Sequence, residues 1–185
     1  MEKRIYFLAI LPPEPLAQKV KEVQNDIANN YGSKEAYKRP AHFTLIAPFK
    51  IPEKREEGII PPLKAFADQQ RPFTIQLNNF NHFDKRVIYI DVEDPTKMQQ
   101  LQKKLRNHMI RQMDFSDQDV RPKELTPHMT VAFRDLSAEN FQKAWKAYQH
   151  RTFSSSFTAN TFHLLKHDNK QWHPFFEFNL AKGKH

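Results

Sequence analysis

Two short stretches, His42-Phe43-Thr44-Leu45 and His128-Met129-Thr130-Val131, repeat one pattern: an imidazole, an apolar residue, a hydroxyl and a second apolar residue. In an extended strand residues i and i+2 share a face, so each stretch offers His and Thr together on one side and packs its apolar residues on the other. On average composition a given His starts such a pattern about once in fifty cases, and two matched hits in one chain arise by accident about once in a hundred chains. Two imidazoles that titrate near neutrality can divide general base and general acid duties in one displacement at phosphorus, each typically contributing about 10²–10⁴ in rate. Two hydroxyls can donate hydrogen bonds to the non-bridging phosphoryl oxygens, where charge develops in the transition state. A cyclic phosphodiester on vicinal hydroxyls, strained and already anionic, matches this equipment. One His deprotonates water, which attacks phosphorus opposite the sugar oxygen that the other His protonates. Zinc held by two His is the competing use, but Thr is a poor third ligand and neither motif has Asp or Glu at i+2 or i+4. A lone strand His is an ordinary structural residue; the matched context gives this pair its weight. His82, His108, His150, His163, His167, His173 and His185 share no such context, and most are expected at the surface or at helix ends.

The elements that must position the motifs follow from periodicity. Residues 5–11 form a β-type run ended by Pro12, Pro13 and Pro15, and Leu16, Val20, Val23 and Ile27 recur at helical spacing up to Gly32. A strand over 41–47 carries the first motif and is expected to close at Pro48, with 50–58 as a solvated loop. A short helix is predicted over 59–67, a half-buried strand over 73–77, a turn over 81–85 and a strand over 87–92. Met98, Leu101, Leu105 and Met109 mark an amphipathic helix, and a strand over 128–133 carries the second motif. Phe141, Ala144, Trp145 and Tyr148 line a further helix with Ser137 as N-cap, and strands near 153–157, 162–167 and 175–180 finish the chain. Ile5 to His42 (42 − 5 = 37) and Val87 to His128 (128 − 87 = 41) traverse the same order of strand, helix, Pro-containing loop and motif, the sign of an internal duplication. The first unit is βαβ-like, but the closing strands favour an α+β fold with antiparallel pairing.

Composition narrows the rest. A chain of 185 residues suits one domain, burying roughly 70% of its unfolded surface. With no Cys there is no disulfide, thiolate nucleophile or Cys-based metal site, and with 3 Gly there is neither GxGxxG nor GxxxxGK[ST]. The formal charge of +8 suits an anionic partner such as a phosphate or a nucleic acid. Residues 5–11 imitate a signal peptide only until the prolines and Glu14, and no stretch approaches the roughly 20 apolar residues of a membrane span, so a cytoplasmic protein is expected.

These motifs resemble those of the two-histidine (2H) phosphoesterase superfamily, and in particular its bacterial 2'-5' RNA ligase or RNA 2',3'-cyclic phosphodiesterase group. The resemblance runs through 4–10, the helix after Pro15, Arg39-Pro40-Ala41-His42-Phe43-Thr44-Leu45, and Thr126-Pro127-His128-Met129-Thr130-Val131-Ala132-Phe133. It implies a single domain over 1–185 of two intertwined, pseudo-symmetric lobes, each an antiparallel-rich sheet with outer helices, facing across a groove with one motif per wall. It also implies hydrolysis of cyclic phosphates on RNA ends or small nucleotides, with 2'-5' bond cleavage or formation in some members, and no cofactor, metal or obligate protein partner. Carried over, His42 and His128 are the acid–base pair and Thr44 and Thr130 bind the phosphate; which His is the base depends on the direction of the reaction, and the division expected here is His128 activating water and His42 protonating the leaving oxygen. Around the second motif this chain has Arg134-Asp135-Leu136 where better-characterised bacterial members are richer in Gly and Arg. From residue type and position, Tyr6, Phe7, Phe49, Phe133 and Trp172 are candidates for stacking on a base, and Arg39, Lys50, Arg134 and Lys166 for pairing with flanking phosphates. The rival reading is an RNA or nucleotide binding module without turnover.

Overall fold

Prolines and glycines punctuate this chain less than its periodicity suggests, and the strands run longer than their apolar cores. The computed structural model describes residues 2–182. The order is β1 (Lys3–Ile10), α1 (Leu16–Tyr31), β2 (Phe43–Pro52), one 3-10 turn (Glu53–Arg55), α2 (Glu56–Ala67), β3 (Phe73–Phe83), β4 (Val87–Val92), α3 (Thr96–Gln112), β5 (Met129–Ala132), α4 (Ala138–Tyr148), β6 (Ser154–Ala159), β7 (Thr161–His167) and β8 (Trp172–Asn179). Two four-stranded sheets result, sheet A in the order β2-β1-β7-β8 and sheet B in the order β5-β4-β3-β6. Every neighbouring pair is antiparallel, as an α+β fold requires.

The repeated order read in the sequence has a counterpart in space. β1-α1-β2 and β4-α3-β5 each place the motif strand at a sheet edge, paired with the strand that precedes the helix. Both pairings are antiparallel, so neither unit is the parallel crossover that the alternation of strand and helix suggested. Of the three closing strands only β7 and β8 make a hairpin; β6 instead pairs with β3 in the other sheet.

Helices bind the two halves together. The buried stripe of α1, with Leu16, Val20 and Ile27, lies against β5 and α4, so the helix that follows a sheet A strand covers sheet B. α3, which follows a sheet B strand, packs with Met98, Leu101, Leu105 and Met109 buried, against β2 and α2. One contiguous apolar cluster runs through both sheets and all four helices. Gly32 ends α1 in the left-handed conformation (φ 75°), and the Ser137 hydroxyl caps α4 by accepting from the Asn140 N–H at 3.1 Å.

Alternation sorts β1 into two faces. Tyr6, Leu8 and Ile10 enter the main core, whereas Phe7 and Ala9 lie on the other face with Leu165, where Leu11 and Trp172 cover them. Three expectations need correction. β2 continues through Pro48 to Pro52, so Lys50 is in a strand and the expected solvated loop is strand, 3-10 turn and the start of α2; Pro48 is exposed on an edge strand, where a missing N–H costs little. β3 continues to Phe83 past an irregularity between Leu77 and Phe80, where Asn79 takes φ 59° and its N–H bonds the Phe153 carbonyl at 2.7 Å. His42 and His128 each stand immediately before the first residue of β2 and β5 rather than inside the ladder.

Candidate active site

Where the edge strands β2 and β5 begin, the two halves share a pocket of about 200 Å³ lined by His42, Thr44, His128, Thr130, Arg39 and Phe133, with Gln24, Ala36, Phe83 and Val87. The intervening Phe43, Leu45, Met129 and Val131 are fully buried, as the i, i+2 argument requires. Each imidazole is held by the same device. Nδ1 of His42 lies 2.6 Å from the Pro40 carbonyl, and Nδ1 of His128 lies 2.7 Å from the Thr126 carbonyl, two residues upstream in both cases. A carbonyl only accepts, so Nδ1–H donates in each ring and Nε2 is left as the nitrogen available to the pocket.

Aromatic rings pack the imidazoles from behind. Phe7 stands 5.1 Å from His42 between ring centroids, and Phe83 and Tyr89 stand 4.9 Å and 5.5 Å from His128. Burial pushes His42 down to about 4, against the pull of the Pro40 carbonyl, and the nearby Arg39, His128 and Lys21 add to the lowering. Burial also lowers His128, opposed by its bond to Thr126. Lowered from the ordinary 6.5, both rings are neutral at pH 7.

The cations arrive on a braced loop. Lys21 donates through Nζ to the Tyr37 and Arg39 carbonyls, fixing the backbone just before the first motif. Ser33 donates its hydroxyl to Asp135 at 2.8 Å and accepts from the Phe133 N–H at 3.3 Å, while Asp135 also accepts from the Lys34 and Glu35 N–H groups at 2.6 Å and 3.1 Å. The loop carrying Arg39 is thus tied to the residues that follow the second motif. The Arg39 and Arg134 guanidiniums lie 5.0 Å and 5.3 Å from the centre of the Phe133 ring. Neither forms an ion pair among the described residues, and burial followed by the repulsion of Arg134 lowers Arg39 from its ordinary value. An entering anion relieves both penalties. Among the described residues no three His, Asp or Glu side chains cluster as metal ligands.

The remaining candidates separate by strand face. Phe7 backs His42, Trp172 packs on Phe7 at 4.6 Å, and Arg134 sits beside the pocket at φ 54°. Tyr6, Phe49 and Lys166 are not brought there. Phe49 and Lys166 are both cross-strand partners of Tyr6 and share its face, opposite to Phe7. Tyr6 and Lys166 both bond Glu56 Oε2, and Phe49 is buried against Phe115. Lys50 is exposed opposite Ile5, towards the far end of β2, and does not line the pocket. Of the other histidines, His150 and His173 are exposed, whereas His82, His108, His163 and His167 are half-buried; His185 lies outside the described residues.

Sequence reasoning missed Gln24, Ala36, Phe83 and Val87. Gln24 had a signal: it stands four residues after Val20 and three before Ile27, a polar residue in the apolar stripe of α1. It is 1% exposed and donates from Nε2 to the Thr130 carbonyl at 3.0 Å, fastening α1 to the second motif.

The chain is similar to known proteins. A family model described as the 2'-5' RNA ligase superfamily matches residues 12–171, a span that includes both motifs. The chain belongs to the 2'-5' RNA ligase superfamily. Its curated relatives include a Bacillus cytotoxicus protein named as a phosphoesterase, 29% identical over 147 residues (78% of this chain and 81% of the relative), and a Bacillus licheniformis protein of the same description, 26% identical over 168 residues (89% and 94%). Among solved structures, a Thermus thermophilus protein matches with a TM-score of 0.68 at 20% identity, and E. coli LigT in its apo form matches with 0.65 at 19%, each over 98% of this chain and 100% of the other. These two structures share the superfamily's two-sheet fold with this chain.

The brace between the motifs gives a test that needs no substrate. In this superfamily member Asp135→Ala removes three hydrogen bonds from the 33–35 bend, and we expect a loss of about 1–2 kcal/mol of stability in urea unfolding. Asp135→Asn, which keeps an acceptor oxygen, should lose less. Equal losses for the two would show that the bend does not depend on these bonds.

Proposed function

We propose that the protein hydrolyses a 2',3'-cyclic phosphate, on an RNA end or a small nucleotide, by acid–base catalysis between His42 and His128. The observation that carries the reading is the matched pair of motifs on one pocket, each imidazole clamped through Nδ1 to a carbonyl two residues upstream. The phosphate sits between the Thr44 and Thr130 hydroxyls, with Arg39 compensating its charge. Nε2 of one ring takes a proton from water as the water oxygen bonds to phosphorus. The bond from phosphorus to one ring oxygen breaks, and Nε2–H of the other ring protonates that oxygen, leaving a phosphomonoester and a free hydroxyl. Burial lowers both rings, His42 to about 4, so each offers an unprotonated Nε2 at neutral pH, and the substrate's leaving group is what tells base from acid.

The ligand class has support from the fold's relatives, since E. coli LigT has been crystallised with 3'-AMP, ATP and phosphate. A cytoplasmic location belongs to the same proposal, because RNA ends are met there; no helix among the described residues is long and apolar enough to cross a membrane. The test is incubation with 2',3'-cyclic mononucleotides and a short RNA ending in that group, in EDTA, with products resolved by phosphorus NMR. A single phosphomonoester is expected, and the side on which it appears tells which ester breaks. Binding without turnover would establish a nucleotide-binding module instead.

A further inference from the structure

Register carries the groove beyond the reacting centre. In sheet A, Thr44 pairs with Ala9, Ala9 with His163 and His163 with Glu177, so these four residues form one row across all four strands on the face that holds the first motif. Ala9 places only a methyl above the row. In sheet B the corresponding row is Thr130, Tyr89 and Asn81, and there the Tyr89 ring rises beside His128 and packs on Phe83 at 4.4 Å. The two rows therefore differ: the sheet B row carries the Tyr89 ring beside its motif, whereas the sheet A row leads on to a cavity of about 680 Å³ lined by Leu11, Pro12, Phe157, His163 and Glu177 among others. That volume lies within the roughly 300–1,000 Å³ typical of ligand sites.

The polar groups of this cavity are chosen for a neutral ligand that donates hydrogen bonds. The Glu177 carboxylate accepts from His163 Nε2–H at 3.1 Å through Oε2, which fixes its direction and leaves Oε1 to a ligand; the Glu177 side chain is 56% exposed and His163 only 13%. His163 Nδ1 is a buried acceptor without a partner among the described residues. Burial lowers His163 despite Glu177, so the ring adds no positive charge at pH 7 and the carboxylate repels a phosphate here. Carboxylates of this kind receive ribose hydroxyls in dinucleotide sites, and Leu11 and Pro13 supply apolar surface for a base. Two to three strand spacings, about 10–14 Å, separate Thr44 from His163 and Glu177, the reach of one nucleotide beyond the reacting ribose.

We propose that this cavity binds the ribose and base of the nucleotide preceding the reacting one, with Glu177 accepting from its 2'-hydroxyl, so that the protein selects an RNA end over a mononucleotide. The proposal rests on the cyclic phosphodiesterase reading for which atoms lie at Thr44, and its test separates the two. A diribonucleotide ending in a 2',3'-cyclic phosphate is compared with the analogue lacking only the 2'-hydroxyl of the first nucleotide, a group that takes no part in the chemistry. In wild type the missing hydroxyl should lower kcat/KM roughly ten-fold, as expected for a bond to a charged acceptor. In Glu177→Ala the ratio should collapse to about one, and in Glu177→Gln, which keeps a weaker acceptor, it should fall between. The same ratios are read from the Kd of the two dinucleotide phosphomonoesters by calorimetry, so a protein without turnover still answers. A ratio near one in wild type, or an unchanged ratio in Glu177→Ala, overturns the proposal. Discrimination in binding without any turnover leaves it standing and removes the catalytic reading instead.

Discussion

His42→Ala and His128→Ala should each lower kcat on a 2',3'-cyclic nucleotide by about 10²–10⁴ while changing KM little, because the imidazoles act on protons in flight and Arg39 and the hydroxyls hold the phosphate. The double variant should be scarcely worse than the poorer single one, since both rings serve one displacement. An ester with a 4-nitrophenol leaving group separates the roles, because that leaving group departs without a proton. If His128 is the acid, His128→Ala should come within about ten-fold of wild type on the aryl ester, a recovery within the range general acid catalysis supplies, while His42→Ala stays inactive. The opposite pattern would return the acid role to His42. Full activity of either alanine variant on the cyclic substrate would end the two-histidine mechanism.

Acid should unfold this protein earlier than its carboxylates alone would dictate. His42 titrates at about 4 in the folded chain and at the ordinary imidazole value of 6.5 once unfolded, so between those pH values the unfolded state binds more protons. Stability is then level above about pH 6.5, falls as pH drops towards 4, and levels again below it, with up to about 3 kcal/mol lost to this one ring. His128, also lowered by burial, contributes with the same sign. Urea unfolding at pH 7, 5.5 and 4.5 measures the slope, and His42→Gln should flatten it. An unchanged slope in that variant would show that the folded protein does not hold the ring neutral.

The sequence displayed the site where chemistry and periodicity coincide. His42 with Thr44 and His128 with Thr130 need only a strand to share a face, and the neighbouring Phe43, Leu45, Met129 and Val131 announce that strand. Arg39 and Phe133 flank the motifs in sequence and also in space. The substrate-binding guesses missed where a choice between two strand faces was needed: Tyr6 and Phe7 are adjacent, equally aromatic, and face opposite ways, which only the register with Phe49 and Lys166 decides. Phe83 was hidden because Asn79 looks like the end of a strand and instead accommodates an irregularity in a longer one. Pro48 misled in the same way, since a terminator inside a sheet is tolerable at its edge, and edge position is a property of the whole topology. His163 and Glu177 are invisible as a pair until β7 and β8 bring residues 14 apart into register.

The exchange of helices, α1 onto sheet B and α3 onto sheet A, has a mechanical consequence. Two lobes joined by a flexible linker can gape and clamp, and their catalytic groups meet only when a ligand draws them together. Here, widening the groove would pull α1 off β5 or α3 off β2 and break the single core that runs through both halves. Any change in the gap between the imidazoles is therefore opposed by the packing of both helices, as in the jaw of a forged tool.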